Sequence, residues 1–131
     1  MTEPDRRVVG RLHSLVIDCP DPRSLAPFYE QLLGLERTED TSGWVTLGRP
    51  DGGVDVAFQK VDTYTPPRWP DPSAPQQMHV DVLVHDLDTA EAEVIEMGAT
   101  LLQGSDKPIG YRVYADPVGH PFCLVTPESL G

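Results

Sequence analysis

Long hydrophobic runs are missing from this sequence. No stretch approaches the roughly 18 apolar residues that a membrane-spanning helix needs, and segment 1–11 is too polar to be a signal peptide. Cysteine is also scarce, since Cys19 and Cys123 are the only two and they do not form a CxxC pair. This shortage argues against a disulfide framework and favours a reducing, cytoplasmic location.

Basic residues are the second shortage. The chain has 10 lysines and arginines against 21 aspartates and glutamates, which gives a formal net charge of −11. Nucleic acids and anionic membrane surfaces would repel such a chain, so neither is expected as a partner, whereas a cationic small molecule would be compatible. The sequence also lacks a phosphate-binding loop and the GxGxxG, HExxH and GxSxG motifs, so nothing supports the chemistries that they serve.

What the sequence does contain is an internal repeat. Segments 15–34 and 80–98 each combine an apolar strand, a turn with an aspartate and a helix-like stretch that ends at glycine. The turn at 50–53 has its counterpart at 115–119, and the copies stand about 65 positions apart. A unit of this length cannot cover its own apolar face, so the copies should pack together as one domain, residues 1–131, with any ligand site where they meet.

The first copy reads as a strand, a helix and a hairpin. Asp21 is a plausible N-cap with Pro22 at the first helical position, and the helix should stop at Gly34. Pro27 lies inside that helical pattern, so we expect a kink or a late helix start. Strands are predicted at residues 11–19, 44–47 and 54–60.

The second copy follows a proline-rich linker, residues 62–76, which is unsuited to a helix or a central strand. A helix is predicted from Asp86 or Asp88 to Met97. Strands are predicted at residues 78–84, 100–103, 111–115 and 121–125. The fold class is therefore α+β, with two tandem β-α-β-β-β modules at 10–61 and 77–127, each with its helix on one face of a sheet.

The order of these motifs resembles the vicinal oxygen chelate superfamily. The resemblance rests on the aspartate turns, on Phe28-Tyr29 and Leu32-Leu33-Gly34 in the helix, and on the segment 116–125. The resemblance covers the chain from about residue 11 to residue 126. The superfamily includes glyoxalase I, bleomycin-resistance proteins, fosfomycin-resistance enzymes and extradiol dioxygenases, and the resemblance is closest to its small glyoxalase-like branch. The resemblance implies a cup-shaped mixed sheet made by both modules, with the helices on its outer face.

The resemblance also implies where a metal would bind. Metal-binding members carry ligands on the first and last strands of each module, and the matching residues here, called the four family positions, are Ser14, Gln59, His79 and Cys123. Serine and glutamine are weak donors, so the expectation is that the chain holds no metal cofactor, with a divalent metal at His79 and Gln59 as the alternative. His13 is displaced by one residue and should point to the opposite face of its strand.

Other side chains are candidates for the lining of the cup. His79 should face the cup with Asp81 two residues on, which suits a general base or a ligand-binding imidazole. Trp44 could stack on a planar ligand or cover the sheet edge. Cys123 is predicted to be a small buried hydrophobic residue. Two aromatic residues lie outside this set: Trp69 in the linker suggests a lid or a dimer contact, and His120 is expected to make a turn contact only.

The function predicted from these observations is the binding of a small organic molecule, as in the bleomycin-resistance members. The predicted lining is Ser14, Trp44, Gln59, His79, Asp81 and Cys123, and a homodimer is expected. The first alternative is a glyoxalase-type lyase or isomerase that uses His79 as a base or as a residual metal ligand. The second is a purely structural or regulatory module. Whether one chain or two swapped subunits build the cup is left open.

Overall fold

The computed structural model describes residue 8 and residues 10–104 and 110–127. Two β-α-β-β-β modules follow each other along the chain, and this confirms the predicted α+β class. The first module consists of β1 Ser14–Cys19, α1 Pro22–Leu33, β2 Glu36–Thr41, β3 Trp44–Gly48 and β4 Asp55–Lys60. The second consists of β5 Val80–Leu83, α2 Leu87–Glu96, β6 Thr100–Gln103, β7 Tyr111–Ala115 and β8 Pro121–Val125.

Both helices begin at an aspartate cap. The side chain of Asp21 accepts a hydrogen bond from the backbone N–H of Arg23, and Asp86 does the same for Asp88, which satisfies donors that the first turn leaves free. The first helix ends at Gly34, whose φ of 66° is left-handed. Pro27 lies inside this helix, so the alternative of a late helix start is wrong.

Hydrogen bonds sort the strands into two four-stranded sheets with the same order. The first sheet runs β1-β4-β3-β2 and the second runs β5-β8-β7-β6, so the duplication seen in the sequence is also a duplication of topology. The first and last strands of each module pair in parallel, and the remaining neighbours are antiparallel. As a result, β1 and β5 each lie at the end of a sheet.

The main core joins the two modules. Side chains alternate between faces along a strand, and on β8 Phe122 and Leu124 lie in this core whereas Cys123 faces the other way. Across the junction, the rings of Phe28 and Phe122 meet edge to face with centroids 5.7 Å apart. The hydroxyl of Tyr29 adds a buried hydrogen bond to the second module, which is described below.

The strand β2 had no predicted range. Its sequence, ERTEDT, has no apolar alternation, and all but one of its residues are exposed. It lies at the end of the first sheet and pairs only with β3, so little of it needs to be buried. None of the helices in the described part of the chain is long and apolar enough to cross a membrane.

Candidate functional site at the junction of the modules

A cavity of about 820 Å³ lies along the edge strand β1, where the first module meets the linker and the start of β5. We call it the junction cavity. Its walls are largely apolar and include Val16, Ile17, Val56, Pro67 and Val80. The linker closes one side because segment 68–74 folds back on itself through backbone hydrogen bonds. The edge position of β1 thus leaves room for a ligand that a further strand would otherwise fill.

Two aromatic rings fix one end of the junction cavity. The Nε2 of His120 lies 2.7 Å from the backbone oxygen of Asp18, and because that oxygen can only accept, Nε2 carries the proton. The hydroxyl of Tyr64 lies 3.2 Å from the same nitrogen and donates to the backbone oxygen of Val118 at 3.0 Å. The expectation that His120 makes a turn contact only is therefore wrong, because its ring links the two modules and the linker.

The turn that carries His120 is held by a buried carboxylate. One oxygen of Asp116 accepts from the backbone N–H groups of Val118 and His120, each at 2.9 Å, and the other accepts from the hydroxyl of Tyr29 at 2.7 Å. Burial, followed by the nearby Asp116 carboxylate, raises the pKa of Tyr29 well above its usual value. The tyrosine thus stays a hydrogen-bond donor across the ordinary pH range.

A second group of polar side chains lies on the second sheet. The Nε2 of His79 and the carboxylate of Asp81 are 3.2 Å apart, and the ligand atoms of His79, Asp81 and Cys123 all lie within 4.8 Å of one another. We call these three residues the His79 cluster. Burial, with a smaller contribution from Asp81, raises the pKa of the Cys123 thiol to about 11. The indole of Trp69 packs against the small apolar cluster of Val113, Cys123 and Val125, so the linker covers this part of the second sheet.

Trp44 and Gln59 form a third neighbourhood, on the first sheet. They are directly opposite each other on β3 and β4. The indole N–H of Trp44 donates to the hydroxyl of Thr46 at 2.8 Å, and that hydroxyl donates to Glu39 at 2.7 Å. Trp44 is therefore anchored along its own strand, while Gln59 stays exposed.

The predicted site residues thus fall into three neighbourhoods. Ser14 and His79 both line the junction cavity, and His79 is shared with the cluster that contains Asp81 and Cys123. Sequence reasoning missed Tyr64 and His120 as part of the lining. No sequence pattern pointed to Tyr64, because a linker without regular structure has no periodicity from which to predict a facing side. His120 could have been predicted, because it follows closely after Asp116 in the turn that the repeat made conspicuous.

The four family positions do not fit the four-ligand metal site that the resemblance implies. Ser14 and Gln59 would have to supply the donors of the first module, and neither is a usual metal ligand. In the parallel pairing of β1 with β4, Ser14 is opposite Asp55 and Gln59 is opposite Asp18, so these two positions stand four residues apart along neighbouring strands. The residue type and the placement of the first-module positions therefore both disagree with that site.

Comparisons with known proteins agree with this architecture. Residues 14–125 match the family described as Glyoxalase-like domain. An antibiotic binding protein from Streptomyces sp. CB03234, TnmS3, is 18% identical with a TM-score of 0.61, and the alignment covers 93% of this chain and 99% of that one. The bleomycin-binding protein of Streptomyces verticillus, solved with copper(II)-bleomycin, is 15% identical with a TM-score of 0.55 and coverages of 92% and 98%.

A metal-bound structure is also similar. The fosfomycin resistance protein FosX of Listeria monocytogenes, solved with Mn(II) and sulfate, is 13% identical with a TM-score of 0.67, over 92% of this chain and 91% of that one. At these identities the likeness concerns the fold. Among curated proteins, none matches the sequence significantly.

The expectation that the chain holds no cofactor is corrected by these findings. It was based on the four family positions, where two of the residues are poor donors. The structure instead brings the ligand atoms of His79, Asp81 and Cys123 within 4.8 Å of one another, and a protein of similar fold was solved with Mn(II). The alternative placed a divalent metal at His79 with Gln59, and the structure groups His79 with Asp81 and Cys123.

One finding identifies the family, and two others agree with its fold. The sequence match extends over residues 14–125, the strand order is the same in both modules, and the similar structures include one described as a glyoxalase/bleomycin resistance protein/dioxygenase family enzyme from Burkholderia phytofirmans PsJN. The chain therefore belongs to the glyoxalase-like domain family, within the vicinal oxygen chelate superfamily.

Proposed function

We propose that this protein binds a small, largely apolar organic molecule in the junction cavity. The observation that carries the proposal is the cavity itself, because about 820 Å³ is within the usual range for small-molecule sites and its walls are mostly apolar. The polar groups at its margin include His79, His120 and Tyr64, enough to orient a ligand that carries one or two polar atoms.

Charge and the similar proteins narrow the class of ligand. The net charge of −11 favours a neutral or cationic molecule over an anionic one. Two proteins of similar fold are described as antibiotic-binding and bleomycin-binding, which supports sequestration of a small molecule as the function of this chain.

Fluorescence of Nile red, a neutral apolar dye, tests the proposal. The wild-type protein should bind the dye with saturable enhancement of its emission. Val16→Trp places an indole in the cavity wall at a residue that is 45% exposed, so it should weaken binding by about tenfold or more without unfolding the protein. Leu101→Trp is the matched control, since Leu101 is 41% exposed and lies on β6.

The comparison of the two variants decides whether the junction cavity is the binding site. Weaker binding in Val16→Trp with unchanged binding in Leu101→Trp supports the junction cavity as the site. If both variants bind like wild type, or if the wild type gives no saturable signal, the proposal is wrong.

A second candidate function is a lyase or isomerase of the glyoxalase type, favoured by the pair His79 and Asp81. The Nε2 of His79 lies 3.2 Å from a carboxylate oxygen of Asp81, a separation at which the carboxylate can orient the ring, and Nδ1 would then serve as the base. Because His79 lines the junction cavity, a bound substrate would lie within reach of that nitrogen. Its role would be to remove a proton next to a carbonyl group.

Exchange with deuterated water tests this candidate. Small 2-hydroxy ketones and 2-oxo aldehydes would be incubated with the protein, and uptake of deuterium next to the carbonyl followed by NMR. His79→Ala should abolish exchange with an unchanged melting temperature, because His79 is exposed. His85→Ala, another exposed histidine, is the control. Exchange that survives in His79→Ala would rule out this mechanism.

We propose in addition that two copies form a homodimer. Met78 and Leu83, at the start and end of the β5 region, are 71% and 58% exposed, and β5 is an edge strand. Light scattering after size-exclusion chromatography should give the mass of a dimer for the wild type and the mass of a monomer for Leu83→Asp. A monomer mass for the wild type would contradict the proposal. The module boundaries and the cytoplasmic location stay predictions.

A further inference from the structure

We propose that the junction cavity selects a protonated amine attached to an apolar body, and that Asp18 binds the ammonium group. This assignment rests on the proposed function, because the amine would be the ligand that the cavity holds. Among the described residues that line the cavity, Asp18 is the one acidic side chain, and the lining contains neither lysine nor arginine.

The strand β1 places the side chain of Asp18 on the cavity side of the sheet. Its neighbours Ile17 and Cys19 pack in the main core, so alternation puts Asp18 on the opposite face, together with Ser14 and Val16. Ser14, Val16 and Asp18 all line the cavity. Asp18 is also exposed, so its carboxylate is accessible to a ligand.

Among the described residues, no cation neutralises the Asp18 carboxylate. None of the salt bridges in that part of the chain involves it. Lys60 lies opposite Cys19 in the pairing of β1 with β4, so its side chain belongs to the other face of the sheet. A carboxylate without a counter-ion, beside a largely apolar wall, attracts a cationic group more strongly than it would in open water.

The polar groups next to Asp18 accept hydrogen bonds. The hydroxyl of Tyr64 donates its proton to the backbone oxygen of Val118 at 3.0 Å, so its oxygen can only accept from a ligand. The Nε2–H of His120 donates to the backbone oxygen of Asp18 at 2.7 Å, which leaves Nδ1 of the neutral ring as an acceptor. A ligand group at this end must therefore supply donors, and an ammonium group has donors alone.

Negative charge reaches this end of the cavity from two aspartates. Burial is the largest cause of the raised pKa of Tyr64, and the carboxylates of Asp116 and Asp18 raise it further. Coulomb interactions weaken with distance, so both carboxylates lie close enough to act on the hydroxyl. The same field stabilises a cation placed against Tyr64 and repels an anion.

The rest of the cavity fits an uncharged, apolar body. Val56, Val80 and Pro67 contribute to this part of the wall. A second charge on the ligand would lose water there without gaining a partner, which is costly. The ligand class is therefore a hydrophobic amine with its charge at one end.

Competition against Nile red by two naphthalene derivatives of nearly equal size tests the assignment on the full chain. Naphthylmethylamine carries an ammonium group at neutral pH, whereas naphthylmethanol is uncharged. In the wild type the amine should displace the dye at about tenfold lower concentration than the alcohol, as one charge-assisted hydrogen bond would give.

Variants of Asp18 show whether this residue is the anchor. Asp18→Asn has nearly the same size without the charge and should remove the preference for the amine, whereas Asp18→Glu should keep most of it. Asp18→Ser is a second uncharged variant with the same expected loss. Glu93→Gln is the control, because it removes one exposed negative charge from α2, outside the cavity lining, and should leave the preference unchanged.

The preference is a ratio taken within each variant, so a general effect on the cavity cancels. If the wild type binds Nile red but shows no preference for the amine, the assignment is overturned while the proposed function stands. A preference that persists in Asp18→Asn or Asp18→Ser, or one that Glu93→Gln abolishes equally, also overturns it. Absence of saturable Nile red binding in the wild type removes the proposed function and this assignment together.

Discussion

Asp116 joins the two modules through contacts that are buried on both sides. The residue is 3% exposed, and its partner Tyr29 is 1% exposed. Its two oxygens satisfy the buried hydroxyl of Tyr29 and two partly buried backbone N–H groups, and the hydroxyl has no ready access to water. Asp116 therefore connects the two modules, a role that its position in a turn of the sequence only partly indicates.

Replacing this carboxylate should be costly. Asp116→Ala leaves the buried hydroxyl of Tyr29 and two partly buried backbone N–H groups without their acceptor, and at about 1–3 kcal/mol for each buried group we expect a loss of about 3 kcal/mol in the free energy of unfolding. Tyr29→Phe should lose about 1–2 kcal/mol, because only the Tyr29–Asp116 bond disappears. Urea unfolding measures both changes. A loss below about 0.5 kcal/mol in Asp116→Ala would show that the bond does not hold the modules together.

Helix α1 carries a proline that its geometry does not need. Pro27 is exposed and lies in the helix interior, where it removes one backbone hydrogen bond. Pro22 is different because, at the first helical position, the missing N–H would have no helical partner anyway. The two prolines of one helix thus allow a matched comparison.

Pro27→Ala should stabilise the protein. Restoring the helical bond is worth up to about 3 kcal/mol, and the greater freedom of the unfolded chain offsets about 1 kcal/mol of it, so we expect a gain of about 1–2 kcal/mol. Pro22→Ala should give no gain. Equal urea midpoints for wild type and Pro27→Ala would contradict this interpretation of the helix.

The helices and strands also show which parts of the fold can be predicted from sequence patterns. The ranges 100–103, 111–115 and 121–125 are confirmed to the residue, because turn residues bound apolar strands there. β2 could not be found because an exposed edge strand has no buried face to impose alternation. Of the site, the pairing of His79 with Asp81 follows from strand alternation, whereas the cavity wall supplied by the linker depends on tertiary contacts alone.

At the scale of the whole molecule, several buried groups resist losing their protons. Burial is the largest cause in each case: it raises the pKa of the thiols of Cys19 and Cys123 to about 11, and the pKa of Tyr29, Tyr64 and Tyr114 also lies above its usual value. In the unfolded chain these groups ionise at ordinary values, near 9.0 for cysteine and 10.0 for tyrosine. Alkaline pH therefore favours the unfolded state.

Stability should fall as the pH rises. Below a pH of about 9 all five groups are protonated in both the folded and the unfolded state, and their full contribution to stability is present. From about 9 to about 11 the unfolded chain loses these protons first, so the free energy of unfolding decreases. Urea midpoints across this range measure the slope. Cys19→Ala, which lacks one of the thiols, should show a shallower fall, and a wild-type midpoint that does not change with pH would contradict the raised pKa values.

The proposed function requires the junction cavity to hold a small organic molecule. Electron density in crystals grown with Nile red would show where the dye binds. We expect density for the dye along β1, in contact with Val16 and next to Tyr64 and His120. Density for the dye against Trp44 and Gln59 on the first sheet, with the junction cavity holding only water, would contradict it.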